Sequence, residues 1–521
     1  MQRRFGVSAR LGMALTGLVL LLPASPPALA APTTLWVNVN RPPGVPPGTS
    51  CDNPGFTRIQ DAVNFANAGD RINVCPGTYV EQVTISSAAK DNITLRSVSA
   101  WQAIIKAPAV LLPPTAKAIV RVSSSHNVTI LAFTITGPGP GPCGSIDNGV
   151  RVDTAGSANI YGNHIIDIRD EPLSGCQNGV AIQVGRAAEA TTGSANIFGN
   201  VIERFQKNGM TVSNIDSNAN VIANRVLGIG PTILIAQNGV QVSSGATARV
   251  QYNFIANAIY TPQTVTSTGV LLFSPGAVDI SRNTIPRDDT GIYAFGGTAA
   301  SSVYDNDVRS SSFDGITVDM TNNYTVNDND SVQNTFAGVG IYEGSKSNTI
   351  SNNDLEHNKD SGILLDMGTS NTIRGNHVRS NGTTGADTTD GLRANATSTG
   401  NIIQSNFMKG NVTHDCHDDS GTPITPANSW VNNRGDTQNK PGLCRPSDND
   451  DQDDRDDRSQ AMQVSMNAGW DPAYPWYTAD ALAGEYNWAT SYASVDTQSL
   501  LRLAAELPAV RNRPAPNPTA D

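Results

Sequence analysis

The chain has 521 residues, a formal net charge of −11 and an isoelectric point near 5.0. That balance, without any basic patch, excludes an ordinary nucleic-acid partner. Only 16% of residues are charged while Ser, Thr, Asn and Gly abound, which suits solvated β-surfaces better than charged helices. The first element is a leader. Arg3, Arg4 and Arg10 precede an apolar run from Leu11 to Leu22, and Ala28-Leu29-Ala30 fits a small-residue cleavage site. Residues 1–30 therefore read as a secretory signal peptide, too short for a stable membrane span. No cysteine near the cleavage site offers a lipid anchor, and no later stretch has transmembrane length, so a soluble exported protein is expected.

An entry segment follows over 31–69, with a short amphipathic helix predicted from Thr57 to Ala66. Gly69-Asp70-Arg71-Ile72-Asn73-Val74-Cys75-Pro76-Gly77-Thr78-Tyr79 then leads into strands. From there a glycine followed by an aliphatic residue recurs: Gly149, Gly179, Gly209, Gly239, Gly269, Gly291, Gly315, Gly338 or Gly340, Gly362 and Gly391. An asparagine row keeps the same step, through Asn200, Asn224, Asn253, Asn283, Asn306, Asn329, Asn353, Asn376 and Asn406. A fixed interval with short strands of period two means stacked β-coils. One coil, for example, offers strands beginning at Ile363, Thr372 and His377. Glycine suits the turn that opens a strand, asparagine tolerates a left-handed corner, and stacked asparagines can bond to one another along the stack.

The run from about Asp70 to Met408 resembles the right-handed parallel β-helix proteins of the pectin-lyase-like superfamily, and the helix followed by G-D-x-I-x-V-x-P-G-x-Y is similar to the N-terminal cap of many members. The resemblance implies an all-β solenoid over 70–445 with a helix covering its first sheet edge. It does not choose among lyases, hydrolases, uronate epimerases, phage-tail proteins and members without known activity. Six cysteines allow fifteen pairings. In a solenoid, contacts run to the next coil, so Cys51 with Cys75, Cys143 with Cys176 and Cys416 with Cys444 is the natural set, consistent with export.

If the residue after each glycine points inward, the second and fourth after it point out and stack. The first row then reads Arg151, Ala181, Thr211, Gln241, Leu271, Tyr293, Thr317, Leu364 and Arg393, and the second Asp153, Gln183, Ser213, Ser243, Phe273, Phe295, Asp319 and Asp366. Tyr342 and Glu343 belong to an intervening coil of ambiguous register. This face would offer Phe273, Tyr293, Phe295 and Tyr342 for sugar stacking, then Asp319, Glu343, Asp366 and Arg393 for catalysis. Asp319 and Asp366, two coils apart, stand roughly 9 to 10 Å from each other, close to the pair of an inverting glycosidase. Carboxylates on adjacent coils suit calcium or a shared proton. In the superfamily's lyases, acidic residues hold calcium on a uronate and an arginine removes the C5 proton, a role for which Arg393 is placed, although the fuller acidic cluster is missing.

A second stack, Asp307, Asp330 and Asp354, leads to His377 and Arg379 and is either solvated or calcium-binding. Asp415-Cys416-His417-Asp418 resembles the D-P-H-D motif of β-helical mannuronan epimerases at three of four positions, with cysteine for proline and a place after the last clear coil. His414, Cys416 and His417 could hold zinc or copper, against the competing reading of a disulfide-closed exit cap. Residues 446–460 form an acidic linker without EF-hand spacing, and 461–521 an aromatic tail with Trp470, Trp476 and Trp488, suited to packing or docking on a glycan, envelope or protein partner. The expectation is a secreted protein that recognises, and cleaves or modifies, an extracellular, acidic polysaccharide, with calcium the one cofactor suggested. The alternative is a non-catalytic scaffold.

Overall fold

The computed structural model describes residues 31–383 and 388–447. The leader, the linker from residue 448 and the aromatic tail lie outside the described residues. Each turn of the chain consists of three short strands. In one coil these are Thr290–Phe295, Ser301–Tyr304 and Asp307–Arg309, and each pairs in parallel with its equivalent one turn on, at Ile316–Asp319, Tyr324–Asn327 and Asp330–Val332. Repetition gives the described residues three parallel sheets of 15, 13 and 13 strands. We call them the long sheet, the glycine sheet (which contains Thr290–Phe295) and the third sheet. Period-two alternation turns Ile292, Ala294, Val303, Val308 and their equivalents inward, where they form one continuous core. The strands read at Ile363, Thr372 and His377 are Ile363–Asp366, Thr372–Arg374 and His377–Arg379.

The entry segment holds more than a helix. Thr34–Val37 adds to Arg71–Val74 as the outermost strand of the long sheet, so that edge is extended before the helix forms. The helix spans Ile59–Phe65 and buries Ile59, Ala62 and Val63 in the common core. Its first free amides, on Ile59 and Gln60, donate to the buried Glu81 carboxylate at 2.9 and 3.0 Å. A carboxylate there satisfies orphan N–H groups and meets the positive end of the helix dipole. The three disulfides are those expected: Cys51–Cys75, Cys143–Cys176 and Cys416–Cys444.

Both repeat signals are real, for different reasons than backbone freedom. A Cβ at Gly291 would lie 2.2 Å from Cγ1 of Val308, and one at Gly362 would lie 2.2 Å from Cγ1 of Val378. Glycine is therefore required by close approach of the third sheet, and neither position needs a positive φ. The left-handed corner belongs to the residue before each asparagine, as at Tyr252, Arg282, Asp305 and Asp328 with φ of 58°, 55°, 53° and 54°. The asparagine itself is turned inward and buried. Asn329 shows its work. Its Nδ2 donates to Val303 O at 2.9 Å and to Asn353 Oδ1 at 2.9 Å, while its Oδ1 accepts from the backbone and side-chain amides of Asn306. The same pattern runs from Asn163 to Asn433. Two shorter ladders, Asn334–Asn358–Asn381–Asn411 and Asn348–Asn371–Asn401–Asn428, escaped the sequence reading.

Asn329→Ala strands buried amides and carbonyls, and is expected to lower the unfolding free energy by about 2–4 kcal/mol in urea denaturation. Asn196→Ala, in the exposed row Asn127–Asn159–Asn196–Asn220, is expected to cost less than about 0.5 kcal/mol. Equal losses at both sites would count against the buried ladder as the stronger element.

Candidate functional site

The glycine sheet's outer face changes character along the stack. In its early coils it is closed: Arg151 is fully buried, bonded to Asp153 at 2.6 Å and ion-paired with Glu189. The register there corrects the sequence rows. Arg151 pairs with Gln183, and Gln183 with Thr211, so Ala181 rather than Gly179 stands at the glycine position. From Leu271 onward the face opens, coinciding with the shortening of the repeat from 30 to 22 and 24 residues between Gly269, Gly291 and Gly315.

The open stretch carries the second predicted row. Phe273 pairs with Phe295, Phe295 with Asp319, Asp319 with Tyr342, and Tyr342 with Asp366. The ambiguous coil is thereby settled, with Gly338 at the glycine position and Tyr342 between the two aspartates. Phe273 is 48% exposed, and its ring stacks on Phe295 with centroids 5.3 Å apart and planes 12° from parallel. Tyr293, edge-on to Phe295, donates its hydroxyl to Asp319 Oδ2 at 2.7 Å. The other oxygen, Oδ1, is shielded and has no hydrogen-bond partner among the described residues. Tyr342 folds its ring over Gly340, where a Cβ would lie 2.3 Å from the ring, and its hydroxyl reaches Asp314 Oδ1 at 3.3 Å. Glu343 leaves the row. It sits in the turn at φ 37°, exposed, with its charge still felt by Tyr293.

Asp314 is a residue the sequence reading missed. It precedes Gly315, is fully buried, and accepts from Thr317 Oγ1 at 2.8 Å, the Ala337 N–H at 3.0 Å and Tyr342. Burial pushes its carboxyl up to about 7 despite these donors. Burial likewise raises the Tyr293 and Tyr342 hydroxyls, reinforced by Asp319 at the first and Asp314 at the second. Phe313 and Phe336, stacked 4.9 Å apart in the turns feeding this face, were also missed.

Arg393 stands apart from that row. It pairs with Leu364 on one side and His417 on the other. Its guanidinium bonds Asp390 at 3.1 Å, Asp419 at 2.7 Å and Asn395 at 2.9 Å. Cys416–Asp418 is thus a strand of the glycine sheet, correcting its placement beyond the last coil. The glycine pattern missed this coil because Asp415 occupies the glycine position. Asp415 and Asp418 have structural work: Asp415 Oδ1 ends one ladder by accepting from Asn411, and Asp418 Oδ2 accepts from Asn428 and Trp430. His417 alone of that motif faces the site, with Nδ1 3.1 Å from Asp390 Oδ1 and Nε2 2.8 Å from Asp419 Oδ1. Burial opposes its charge, but the bonds and charge of Asp390, then Asp419, outweigh burial and raise the imidazole from its ordinary value. Cys416 is in a disulfide and cannot be a thiolate ligand. Asp390, His414 and His417 do bring one potential ligand atom each within 4.8 Å of one another.

The other acidic stack lies on the third sheet in the expected register, Asp307–Asp330–Asp354–His377. Arg309 pairs with Asp307 and Arg379 with Asp354. Burial, then the charge of Asp307, pushes Asp330 up to about 6.

Residues 268–425 match the protein-family model described as right handed beta helix region. No curated protein matches the chain. Among solved structures, the complex of XylC with xylose is 11% identical, over 76% of this chain and 86% of that one, with a TM-score of 0.41. A DFA-IIIase from Arthrobacter chlorophenolicus A6 is 13% identical over 66% and 90%, at 0.39. The mannuronan C-5 epimerase AlgE4 A-module of Azotobacter vinelandii is 14% identical over 67% and 89%, at 0.37. At such identities and scores no residue's role carries over.

Asp314 keeps its proton in the folded chain up to about pH 7, whereas an unfolded carboxyl loses it near 3.8. Its contribution to stability is therefore present below pH 4 and lost as pH rises through 7. Asp314→Asn is expected to gain on the wild type by on the order of 4 kcal/mol between those limits, measured by urea denaturation across pH. A pH-independent difference would show that the folded protein holds this carboxyl ionised.

Proposed function

We propose that this parallel β-helix protein belongs to the pectin-lyase-like superfamily, is exported, binds a polysaccharide along the open face of its glycine sheet, and hydrolyses it between Asp319 and Asp366. The supporting observation is the unbroken row Phe273–Phe295–Asp319–Tyr342–Asp366. The half-exposed Phe273 ring, backed by Phe295, offers a stacking surface for a sugar, and carboxylates follow within the reach of one short oligosaccharide. Asp319 and Asp366 stand two coils apart, hence roughly 9 to 10 Å by strand spacing. That leaves room for a sugar and a water, as an inverting acid–base pair needs. Tyr293 fixes the orientation of the Asp319 carboxyl by donating to Oδ2. The three disulfides support export to an oxidising compartment.

Charge favours a neutral chain over the acidic one expected from sequence. A polyuronate would meet Asp319, Glu343 and Asp366, while Arg393 already has all three nitrogens bonded to protein. Calcium enters this reading only as a bridge for charged sugars, which a neutral chain does not require.

The test is a panel of neutral and acidic polysaccharides offered to the mature chain from Ala31, with and without calcium, scoring binding, reducing ends and unsaturated uronate. Reducing ends from a neutral chain are expected, with turnover falling about a hundredfold or more in Asp366→Ala. Phe273→Ala is expected to raise KM several-fold with a smaller change in kcat. Unsaturated uronate would replace hydrolysis by elimination. Binding without turnover would make the face lectin-like, and no response to any glycan would favour the scaffold reading with the 461–521 tail as the working part.

A further inference from the structure

We propose that Asp390, His414 and His417 hold one divalent transition-metal ion of the zinc class at the exit end of the glycine sheet, with a coordination position open to the outside. The inference does not rest on the polysaccharide reading. The three donors come from two coils: Asp390 immediately precedes the strand position of Gly391, and the histidines flank the next coil's Asp415 and Cys416. Asp390 Oδ1 lies 3.2 Å from His414 Nδ1 and 3.1 Å from His417 Nδ1, and the three donor atoms are mutually within 4.8 Å. Ligands about 2.0–2.1 Å from a tetrahedral zinc stand about 3.3 Å from each other, so these two edges are already near coordination length.

The surroundings match a built site. Asp390 Oδ2 is held by Arg393 at 3.1 Å, and the His414 N–H donates to Oδ1 at 3.1 Å, so the carboxylate's orientation is set before any ion arrives. His417 Nε2 faces Asp419 Oδ1 at 2.8 Å. A metal on Nδ1 leaves the Nε2–H to donate to that carboxylate, the usual outer partner of a ligating imidazole. The Cys416–Cys444 disulfide and the strand Cys416–Asp418 fix the histidine backbone. Exposure is graded, with side chains 1% exposed at Asp390, 11% at His417 and 28% at His414. The ion would therefore be anchored from below and approached from the His414 side. Two imidazoles and one carboxylate suit zinc, cobalt or nickel and disfavour calcium, which prefers oxygen ligands throughout.

The experiment uses the mature full chain stripped with a chelator, then titrated with zinc against a chromophoric competitor and, separately, with cobalt followed by its visible absorption. One equivalent of zinc and a tetrahedral or five-coordinate cobalt spectrum are expected. His414→Ala and His417→Ala should each weaken zinc at least a hundredfold and abolish that spectrum, and Asp419→Asn should weaken it about 10–100-fold. Asp366→Ala should bind zinc as the wild type does, which separates this site from the polysaccharide face. Circular dichroism confirms that each variant is folded, and His414→Gln replaces His414→Ala if the latter is not. Binding unchanged in folded histidine variants, or an octahedral cobalt spectrum typical of loosely held ion, would overturn the proposal.

Discussion

The constraint on which the rest depends is that every buried corner of a coil must find its hydrogen-bond partner on the next coil. Parallel strands satisfy their own backbones, but the chain leaves the ladder at each corner, where amides and carbonyls face the interior. Unpaired, each would cost about 1–3 kcal/mol. An inward asparagine solves this because its amide offers a donor and an acceptor at a spacing that matches the coil repeat. The carbonyl accepts twice from the coil before, and the amine donates to the next asparagine and a backbone carbonyl. Register is then locked, since a slip of one residue would turn every ladder amide outward.

This explains what sequence could and could not reveal. Periodic Gly and Asn identify the coils because both are steric or hydrogen-bonding necessities in each turn. Their physical meaning was less legible: Gly291 and Gly362 make room for Val308 and Val378, while Tyr252 or Arg282, beside the ladder, takes the left-handed corner. Pattern fails where another residue meets the same need. Ala181 replaces a glycine and shifts the apparent rows by two, and Asp415 replaces another and hides the last coil. The phenylalanines and aspartates of the open face were legible because alternation alone places them. Asp314, Asp390 and Asp419 were not, because they sit in turns or at strand ends, outside the period-two rows.

The resemblance of Asp415-Cys416-His417-Asp418 to an epimerase motif is instructive on the same grounds. Two of its acids are consumed as acceptors that terminate asparagine ladders, reached from positions that elsewhere hold glycine and alanine. The cysteine is consumed by the disulfide. Only His417 is left for chemistry, and its partners come from a different coil and from Asp419. A four-residue match thus separates into three structural residues and one that faces the site.

Two acidic rows in one solenoid show what distinguishes a structural stack from a working one. On the third sheet, Asp307, Asp330 and Asp354 occupy three successive coils at about 5 Å spacing. Their repulsion is relieved within the protein: arginines pair with the outer two, and the middle carboxyl is pushed towards its neutral form. On the glycine sheet, Tyr342 takes the strand position between Asp319 and Asp366 and turns its ring over Gly340, so the two carboxylates stand two coils apart. Among the described residues no arginine ion-pairs with either aspartate, and Arg393, in register with Leu364, is engaged with Asp390 and Asp419. A fold that pairs or packs away stacked carboxylates on one face, and on another spaces two of them along a single row with stacked aromatic rings, brings two carboxylates and an aromatic surface to one side of the solenoid.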